Sequence, residues 1–138
     1  PSKTVTVWLA IDDADTENGA MKVIPKSHLH GQIVFEHSRK EEQNVLDQTV
    51  KDAEDYGLAP VDFEIKAGQI SLHSDLLLHG SAPNQSDRRR CGLTMRFVPP
   101  EVKRALTGWN KNSIIARGTD VSGHWTNQPK PLIKSDLE

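Results

Sequence analysis

Strict alternation of apolar and polar residues in two stretches sets the firmest limit on how this chain can fold. Residues 3–11 (KTVTVWLAI) and 90–98 (RCGLTMRFV) place side chains on opposite faces with a period of two. That period belongs to a β-strand and not to a helix. In residues 3–11, for example, Val5 and Val7 share a face opposite Trp8. The sequence therefore predicts a fold built on sheets.

Three further segments, 20–25, 61–66 and 69–80, predict strands, the last with a bend near its middle. Turn-forming residues such as Gly, Asn and Pro separate them. About five short strands between turns predict an all-β sandwich or barrel. A double-sheet jelly roll has about eight strands, so the chain is expected to hold roughly half of one.

Two long segments lack that regularity. Residues 26–60 are polar and predict a long loop, in which residues 41–57 have at most the weak apolar stripe of a short helix. Residues 101–138 predict an irregular tail on a surface. We expect residues 1–138 to belong to a single domain, because 138 residues are enough for one core.

Composition excludes several classes of protein. The formal net charge is −2, without the basic excess of a nucleic-acid binder. No run of about 18 apolar residues predicts a membrane span. Cys91 is the single cysteine, so no intrachain disulfide can form, and we expect a soluble protein of a reducing compartment, the cytoplasm.

His79 and Arg90 are the residues that best indicate chemistry. They are 11 positions apart (90 − 79), at the end of one predicted strand and the start of the next, so antiparallel pairing would place them side by side. An imidazole is a metal ligand, and a guanidinium binds a carboxylate through two hydrogen bonds. A metal next to a carboxylate clamp is what a 2-oxo acid co-substrate requires.

Four segments resemble, in the same order, the phytanoyl-CoA dioxygenase family of Fe(II)- and 2-oxoglutarate-dependent oxygenases. They are VWLAIDDADTENGAMKVIPKSH (7–28), AGQISLHS (67–74), LLLHGSAPNQSDRRRCGLTMRF (76–97) and IIARGTDVSGHW (114–125). The resemblance implies a jelly roll, or double-stranded β-helix, of which this chain is the C-terminal part. It also implies hydroxylation of a small-molecule substrate with Fe(II), 2-oxoglutarate and O2, releasing succinate and CO2.

The same resemblance implies roles for four residues. His79 matches the third iron ligand, and Arg90 matches the clamp for 2-oxoglutarate. Ser81 matches a hydroxyl that touches the carboxylate of 2-oxoglutarate, and Trp8 matches a tryptophan that lines the same pocket.

The family's other two iron ligands form a His-x-Asp pair upstream of the Trp8 strand. The chain begins at Pro1, without a Met, and starts too late to contain that pair. Iron in such enzymes is held by two His and one carboxylate, so we expect this chain by itself to bind iron poorly and to be inactive. Two alternatives stay open: a non-catalytic jelly-roll binding module or degenerate family member, and a cupin-like sugar or metal binder that would not need Arg90.

The triplet His73-Ser74-Asp75 has the letters of a His-x-Asp pair. On an extended strand, Asp75 and His79 would lie about 13 Å apart. That is too far for both to bind one ion with bonds of about 2.0–2.2 Å. Only a sharp bend between residues 75 and 79 would bring them together, so we interpret His73 and Asp75 as structural residues or as part of the pocket rim.

The remaining charged and ligand-type residues are interpreted as surface groups. Zinc would need a Cys pair or helical spacing, calcium would need the spacing of an EF-hand loop, and neither pattern is present. Arg96 is expected to pair with an acid on the pocket face. The surface groups are the loop residues His28, His30 and His37, the acidic turn Asp12, Asp13, Asp15 and Glu17, and the turn cations Arg88 and Arg89.

Two apolar strand faces lie opposite the Trp8 and Arg90 faces and need a cover. The resemblance implies that helices of an N-terminal half supply it. If that half is absent, we expect the faces to be exposed and to drive association with other surfaces. The two faces comprise Val5, Val7, Leu9 and Ile11, and Cys91, Leu93, Met95 and Phe97.

Overall fold

The computed structural model describes residues 3–39, 48–103 and 112–131. The chain divides into two compact units, Pro1–Phe97 and Val98–Glu138. No α-helix occurs among the described residues, and none of their helical segments is long and apolar enough to cross a membrane. The prediction of an all-β fold is therefore confirmed.

The first unit contains two three-stranded antiparallel sheets. In one sheet β1 lies between β4 and β6, and in the other β2 lies between β3 and β5. The strands are β1 Val5–Ala10, β2 Met21–Val23, β3 Val61–Phe63, β4 Ile70–Ser74, β5 His79–Ser81 and β6 Gly92–Phe97.

All five predicted segments form strands, and the bend predicted within residues 69–80 separates β4 from β5. The amide of Leu77 donates to the carbonyl of Ser74 at 3.1 Å, which closes a turn directly after β4. The chain then enters the other sheet, where β5 pairs with β2. One predicted strand therefore supplies a strand to each sheet.

Strand alternation gives the β4–β1–β6 sheet two unlike faces. Cα pairing aligns Trp8 with Ser71 and Thr94, and it aligns Val7 with Leu72 and Met95. We call the first side the inner face, formed by Thr6, Trp8, Ala10, Ser71, His73, Gly92, Thr94 and Arg96. We call the second side the outer face, formed by Val5, Val7, Leu9, Ile70, Leu72, Leu93, Met95 and Phe97.

The buried core of this unit lies on the inner face. Trp8 and Ala10 of β1 cluster with Ala14 and Ala20 of the following turn, and Ile65 packs against them. Gly92 of β6 lies so close to the indole of Trp8 that a Cβ atom there would overlap the ring. Gly92 has no side chain, and this leaves room for the large indole of Trp8 in the core.

The described residues between β2 and β3, 24–39 and 48–60, form a loop, as predicted, with short 3-10 helices at Ser27–His30 and Ala53–Tyr56. An isolated bridge joins Glu36 to Thr49. Of the segment predicted to hold a short helix, residues 41–47 lie outside the described residues.

The second unit has more regular structure than the irregular tail that the sequence predicted. Two short strands, β7 Asn112–Ile114 and β8 Thr126–Gln128, pair in parallel. The indole Nε1 of Trp125, next to β8, donates to the carbonyl of Val102 at 3.0 Å. Periodicity missed these strands because three residues are too few to show alternation.

Candidate active site

The imidazole of His79 lies on β5 in the orientation that a metal ligand needs. Its Nδ1 donates to the carbonyl of Leu77 at 2.8 Å. A carbonyl can only accept, so the proton is on Nδ1 and the lone pair is on Nε2. A hydrogen bond of this kind fixes both the tautomer and the ring orientation of metal-binding histidines.

The backbone before His79 is held from both sides. The amide of Leu78 donates to Oγ of Ser27 at 2.9 Å, and its carbonyl accepts from the amide of Ile24 at 3.0 Å. Ser27 is fully buried. Sequence reasoning missed this residue, although it lies in the PKSH end of the 7–28 segment. Its position beside a loop histidine gave no sign that its hydroxyl holds a strand 51 residues later.

Ser81 lies two residues beyond His79 on β5, so the two side chains share a face of the sheet. The Cα atoms of Ser81 and Met21 are paired, and those of His79 and Val23 are paired. Both Ser81 and His79 are exposed. The hydroxyl of Ser81 has no hydrogen-bond partner among the described residues, so it is available to a ligand beside His79.

Ion pairs bind the acidic turn to the two arginines that precede Arg90. Arg88 Nη2 contacts Asp15 Oδ1 at 2.8 Å and Glu17 Oε2 at 3.0 Å. Arg89 donates twice to Asp12, at 2.8 and 2.9 Å. Arg88 and Arg89 are exposed, as interpreted from the sequence, but their pairing with the acidic turn was not predicted. They form a clasp between two connections of the sheet, and the hydrogen bond from Arg89 lowers the pKa of Asp12.

Arg90 differs from both of its neighbours. Its guanidinium lies over the indole of Trp8, with Cζ 5.9 Å from the ring centroid. No carboxylate pairs with Arg90 within the part of the chain that the structure describes. A cation stacked on an aromatic ring keeps its in-plane N–H donors available for a carboxylate. The structure thus brings together two of the predicted co-substrate residues, Arg90 and Trp8.

His73 lies much closer to His79 than the sequence argument allowed. The two ring centroids are 5.2 Å apart. Our premise of an extended chain was wrong, because the turn after β4 redirects it. Asp75 lies exposed in that turn. Burial, followed by electrostatic interactions with His79 and Arg96, lowers the pKa of His73.

A cavity of about 430 Å³ opens beside these histidines. Val23, Phe63 and Leu77 contribute to its apolar walls, and every ionisable side chain that lines it is basic: Lys26, His28 and His73. His73 therefore lines this cavity, together with Leu72 and Ser74 of the same strand.

The loop histidines do not converge on a common point. His28 lines the cavity, His30 packs edge-on against Tyr56, and His37 packs against Phe35. No group of three or more His, Cys, Asp or Glu side chains in residues 3–39, 48–103 and 112–131 could hold a metal ion. His79 can thus supply one ligand of an iron site. No hydrogen bond or ring contact joins His79 and Ser81 to Arg90 and Trp8 across these same ranges. The prediction that antiparallel pairing places His79 beside Arg90 was wrong, because β5 pairs with β2, whereas β6, which follows Arg90, pairs with β1.

The fold is thus all-β, and Arg90 stacks on the indole of Trp8 without a carboxylate partner among the described residues. The sequence profile of the phytanoyl-CoA dioxygenase (PhyH) family matches residues 1–92. The chain belongs to this family, and its fold is a jelly roll, as predicted.

Known relatives are longer than this chain. A phytanoyl-CoA dioxygenase of Arabidopsis thaliana is 30% identical over 133 residues, which are 96% of this chain and 41% of that protein. The structure of the non-heme monooxygenase ThoJ superimposes with a TM-score of 0.66 at 28% identity, covering 98% of this chain and 46% of ThoJ. SnoK, a non-heme alpha-ketoglutarate-dependent carbocyclase from nogalamycin biosynthesis, matches with a TM-score of 0.51 at 25% identity, covering 72% of this chain and 37% of SnoK. The chain spans less than half the length of each.

Proposed function

We propose that this chain is part of an Fe(II)- and 2-oxoglutarate-dependent dioxygenase that hydroxylates a small organic substrate. The observation that carries the proposal is the difference among three consecutive arginines. Arg88 and Arg89 are neutralised by the acidic turn, whereas Arg90 stacks on Trp8 without a carboxylate partner among the described residues. A carboxylate-bearing co-substrate would complete Arg90, and the descriptions of SnoK and ThoJ fit this chemistry.

Bound iron with 2-oxoglutarate and O2 supplies the oxidation, in which one oxygen atom enters a substrate C–H bond, the other enters succinate, and CO2 leaves. The chain's own residues bind and orient. Nε2 of His79 binds the metal, and Arg90 forms two parallel hydrogen bonds to the distal carboxylate of 2-oxoglutarate. Ser81 donates its hydroxyl to that carboxylate, and Trp8 holds the guanidinium plane in position.

The other two protein ligands of iron come, in this proposal, from a His-x-Asp pair outside the described residues. A site of two His and one carboxylate leaves three positions for 2-oxoglutarate and O2. With His79 as a lone ligand, the chain would hold iron weakly. The family membership supports this part of the proposal, because relatives contain a longer sequence.

Succinate formation from 2-oxoglutarate with Fe(II) and O2 tests the proposal. The assay compares this chain with a version that includes its natural flanking sequence. We expect turnover only in the longer version, and we expect Arg90→Gln to weaken 2-oxoglutarate binding by about tenfold to a hundredfold. Arg88→Gln is the matched control, since Arg88 is engaged by the acidic turn, and it should bind 2-oxoglutarate like the wild type.

One outcome would replace this proposal with the alternative function. If neither version forms succinate and neither binds iron, the chain is a non-catalytic binding module on a jelly-roll fold. Equal losses in Arg90→Gln and Arg88→Gln would remove the special role of Arg90.

A further inference from the structure

A second arginine of the inner face, Arg96, has no counter-charge among the residues that the structure describes. Arg96 of β6 and His73 of β4 both pair with Thr6 at the Cα level, on opposite sides of β1. Strand alternation directs all three side chains to the inner face, because Met95 and Phe97 belong to the outer face. Two strand spacings separate the Cα atoms of His73 and Arg96 by about 10 Å, so one ligand group can reach both side chains.

Arg96 and His73 are not only close together but also lack polar partners among the described residues. Neither an ion pair nor a hydrogen bond of Arg96 occurs among the described residues, so the acid that we expected to pair with it is not found there. Nδ1 of His73 is buried without a hydrogen-bond partner. Buried polar atoms without partners are uncommon in folded proteins and call for an explanation, of which an absent ligand is one.

The buried Nδ1 of His73, which has no hydrogen-bond partner among the described residues, indicates which ring nitrogen carries the proton. A buried N–H without an acceptor is rarer than a buried acceptor without a donor. The neutral ring therefore keeps its proton on Nε2, which becomes the donor that His73 offers to a ligand. An Nε2–H donor near a guanidinium suits a negatively charged oxygen and repels a cation.

The residues around His73 also favour a negatively charged ligand. The cavity that His73 lines has only basic ionisable side chains, Lys26 and His28 being the others. His79, the candidate metal ligand, has its ring 5.2 Å from that of His73. An anion bound by His73 and Arg96 would thus lie near the reacting centre.

We propose that Arg96 and His73 form an anion-binding site for the substrate, distinct from the co-substrate clamp Arg90. The substrate is then a small organic molecule with a carboxylate or phosphate close to the carbon that reacts. This inference rests on the proposed function for the identity of the ligand as substrate. The guanidinium of Arg90 already lies over the indole of Trp8. Trp8 lies two residues along β1 from Thr6, with which Arg96 pairs. The two arginines therefore serve two different anionic groups.

Two calorimetric titrations on the chain with its natural flanking sequence test the proposal. The first uses inorganic phosphate without added metal. The second uses 2-oxoglutarate with Ni(II), which is redox-inert in this setting. We expect Arg96→Gln and His73→Gln to weaken phosphate binding, by about tenfold for Arg96→Gln, with the dissociation constant for 2-oxoglutarate within about twofold of the wild type. Arg90→Gln should show the reverse pattern, and Arg88→Gln should change neither constant.

The two titrations separate failure of this inference from failure of the proposed function. Unchanged phosphate binding in Arg96→Gln overturns the anion site. An equal loss of phosphate and 2-oxoglutarate in Arg96→Gln also overturns it, because both arginines would then serve the co-substrate. Absence of any 2-oxoglutarate binding overturns the proposed function instead, while the phosphate titration still reports on Arg96. Thermal unfolding of each variant verifies that the compared proteins are folded.

Discussion

In an antiparallel sheet with one buried face, the apolar face is usually the buried one. In the β4–β1–β6 sheet the apolar outer face is instead the more exposed of the two. The inner face carries Thr6, Ser71, His73 and Arg96 around Trp8, and Trp8 is only 9% exposed. The outer face carries mainly aliphatic, Met and Phe side chains, with Ser74 opposite Val5, yet Leu72 is 63% exposed. The polar face is buried at Thr6 and Ser71 and open at Arg96 of β6, as in a ligand site with an entrance, and an exposed apolar face of this extent is typical of a contact surface. Two neighbouring residues of β6 illustrate the difference, because the backbone of Gly92 lies against the indole of Trp8 whereas Leu93 is 50% exposed on the outer face.

The largest effect is expected on the inner face, from Gly92→Ala. The added methyl group would overlap the indole of Trp8, and overpacking of this kind reduces the free energy of unfolding by about 1–3 kcal/mol. Displacement of Trp8 would also move the platform of Arg90. Thermal and urea unfolding, followed by tryptophan fluorescence, measure the change.

Gly80→Ala is the matched control for that substitution. A Cβ atom at Gly80 meets no heavy atom within 4 Å, so its stability should stay within about 0.5 kcal/mol of the wild type. If Gly92→Ala were equally harmless, the inner face would not be packed as tightly as described.

A smaller effect is expected on the outer face, from Leu93→Lys. We propose that this face mediates association, so that the isolated chain self-associates reversibly. Removal of one central leucine should weaken association by about tenfold, without lowering the stability of the fold, since Leu93 is 50% exposed. Sedimentation velocity over a concentration series measures the association.

Leu29→Lys provides the comparison, because Leu29 is an exposed leucine of a 3-10 helix away from the outer face. It should leave association unchanged. A wild-type chain that stays monomeric at all concentrations, or equal effects of the two substitutions, would contradict a specific role for the outer face.

The smallest effect is expected from Asp12→Asn, which weakens the clasp beside the inner face. Asp12 accepts from Arg89 and from the amide of Cys91, next to Gly92. These contacts lower the pKa of Asp12 below the ordinary value of 3.8. The lowered pKa stabilises the fold fully above pH 3.8, and this contribution is lost as the pH falls through the pKa of the folded state.

Melting temperatures of wild type and Asp12→Asn between neutral and acidic pH measure this contribution. The difference between the two proteins should be small near neutrality, because the pair is exposed, and should shrink further below pH 3.8. Asp55→Asn serves as the control, since no cation contacts Asp55 within the described ranges. A difference that grows on acidification would reverse the sign of our argument.

Alternation was enough to predict the six-residue strands β1 and β6, because it shows clearly in residues 3–11 and 90–98, whereas the three-residue strands β2, β3 and β5 were predicted only as parts of longer segments bounded by turn residues. It was not enough to predict where β4 ends, although the apolar run Leu76–Leu78 after Asp75 breaks the alternation. Strands of three residues, such as β7, carry no periodic signal at all.

The site was predictable only in part. Motif order pointed to His79 and Arg90, and alternation placed Trp8 on the face opposite the apolar one. The contact between His73 and His79 could not be predicted, because it depends on a turn that changes direction within three residues. The role of Ser27 was equally inaccessible, since it depends on a hydrogen bond across 51 residues of sequence.

The amide and the carbonyl of Leu78 are both hydrogen-bonded, and this decides whether the backbone before His79 is ordered before a metal binds. An amide held by the hydroxyl of a fully buried serine should exchange slowly with solvent, even though the neighbouring imidazole of His79 is exposed. Slow exchange of the Leu78 amide, beside fast amide exchange in the surrounding loop, would show that the backbone before His79 is rigid in the absence of metal. A group that is ordered during folding loses little further entropy on coordination, so folding would lower the entropic cost of the iron binding that we propose for His79.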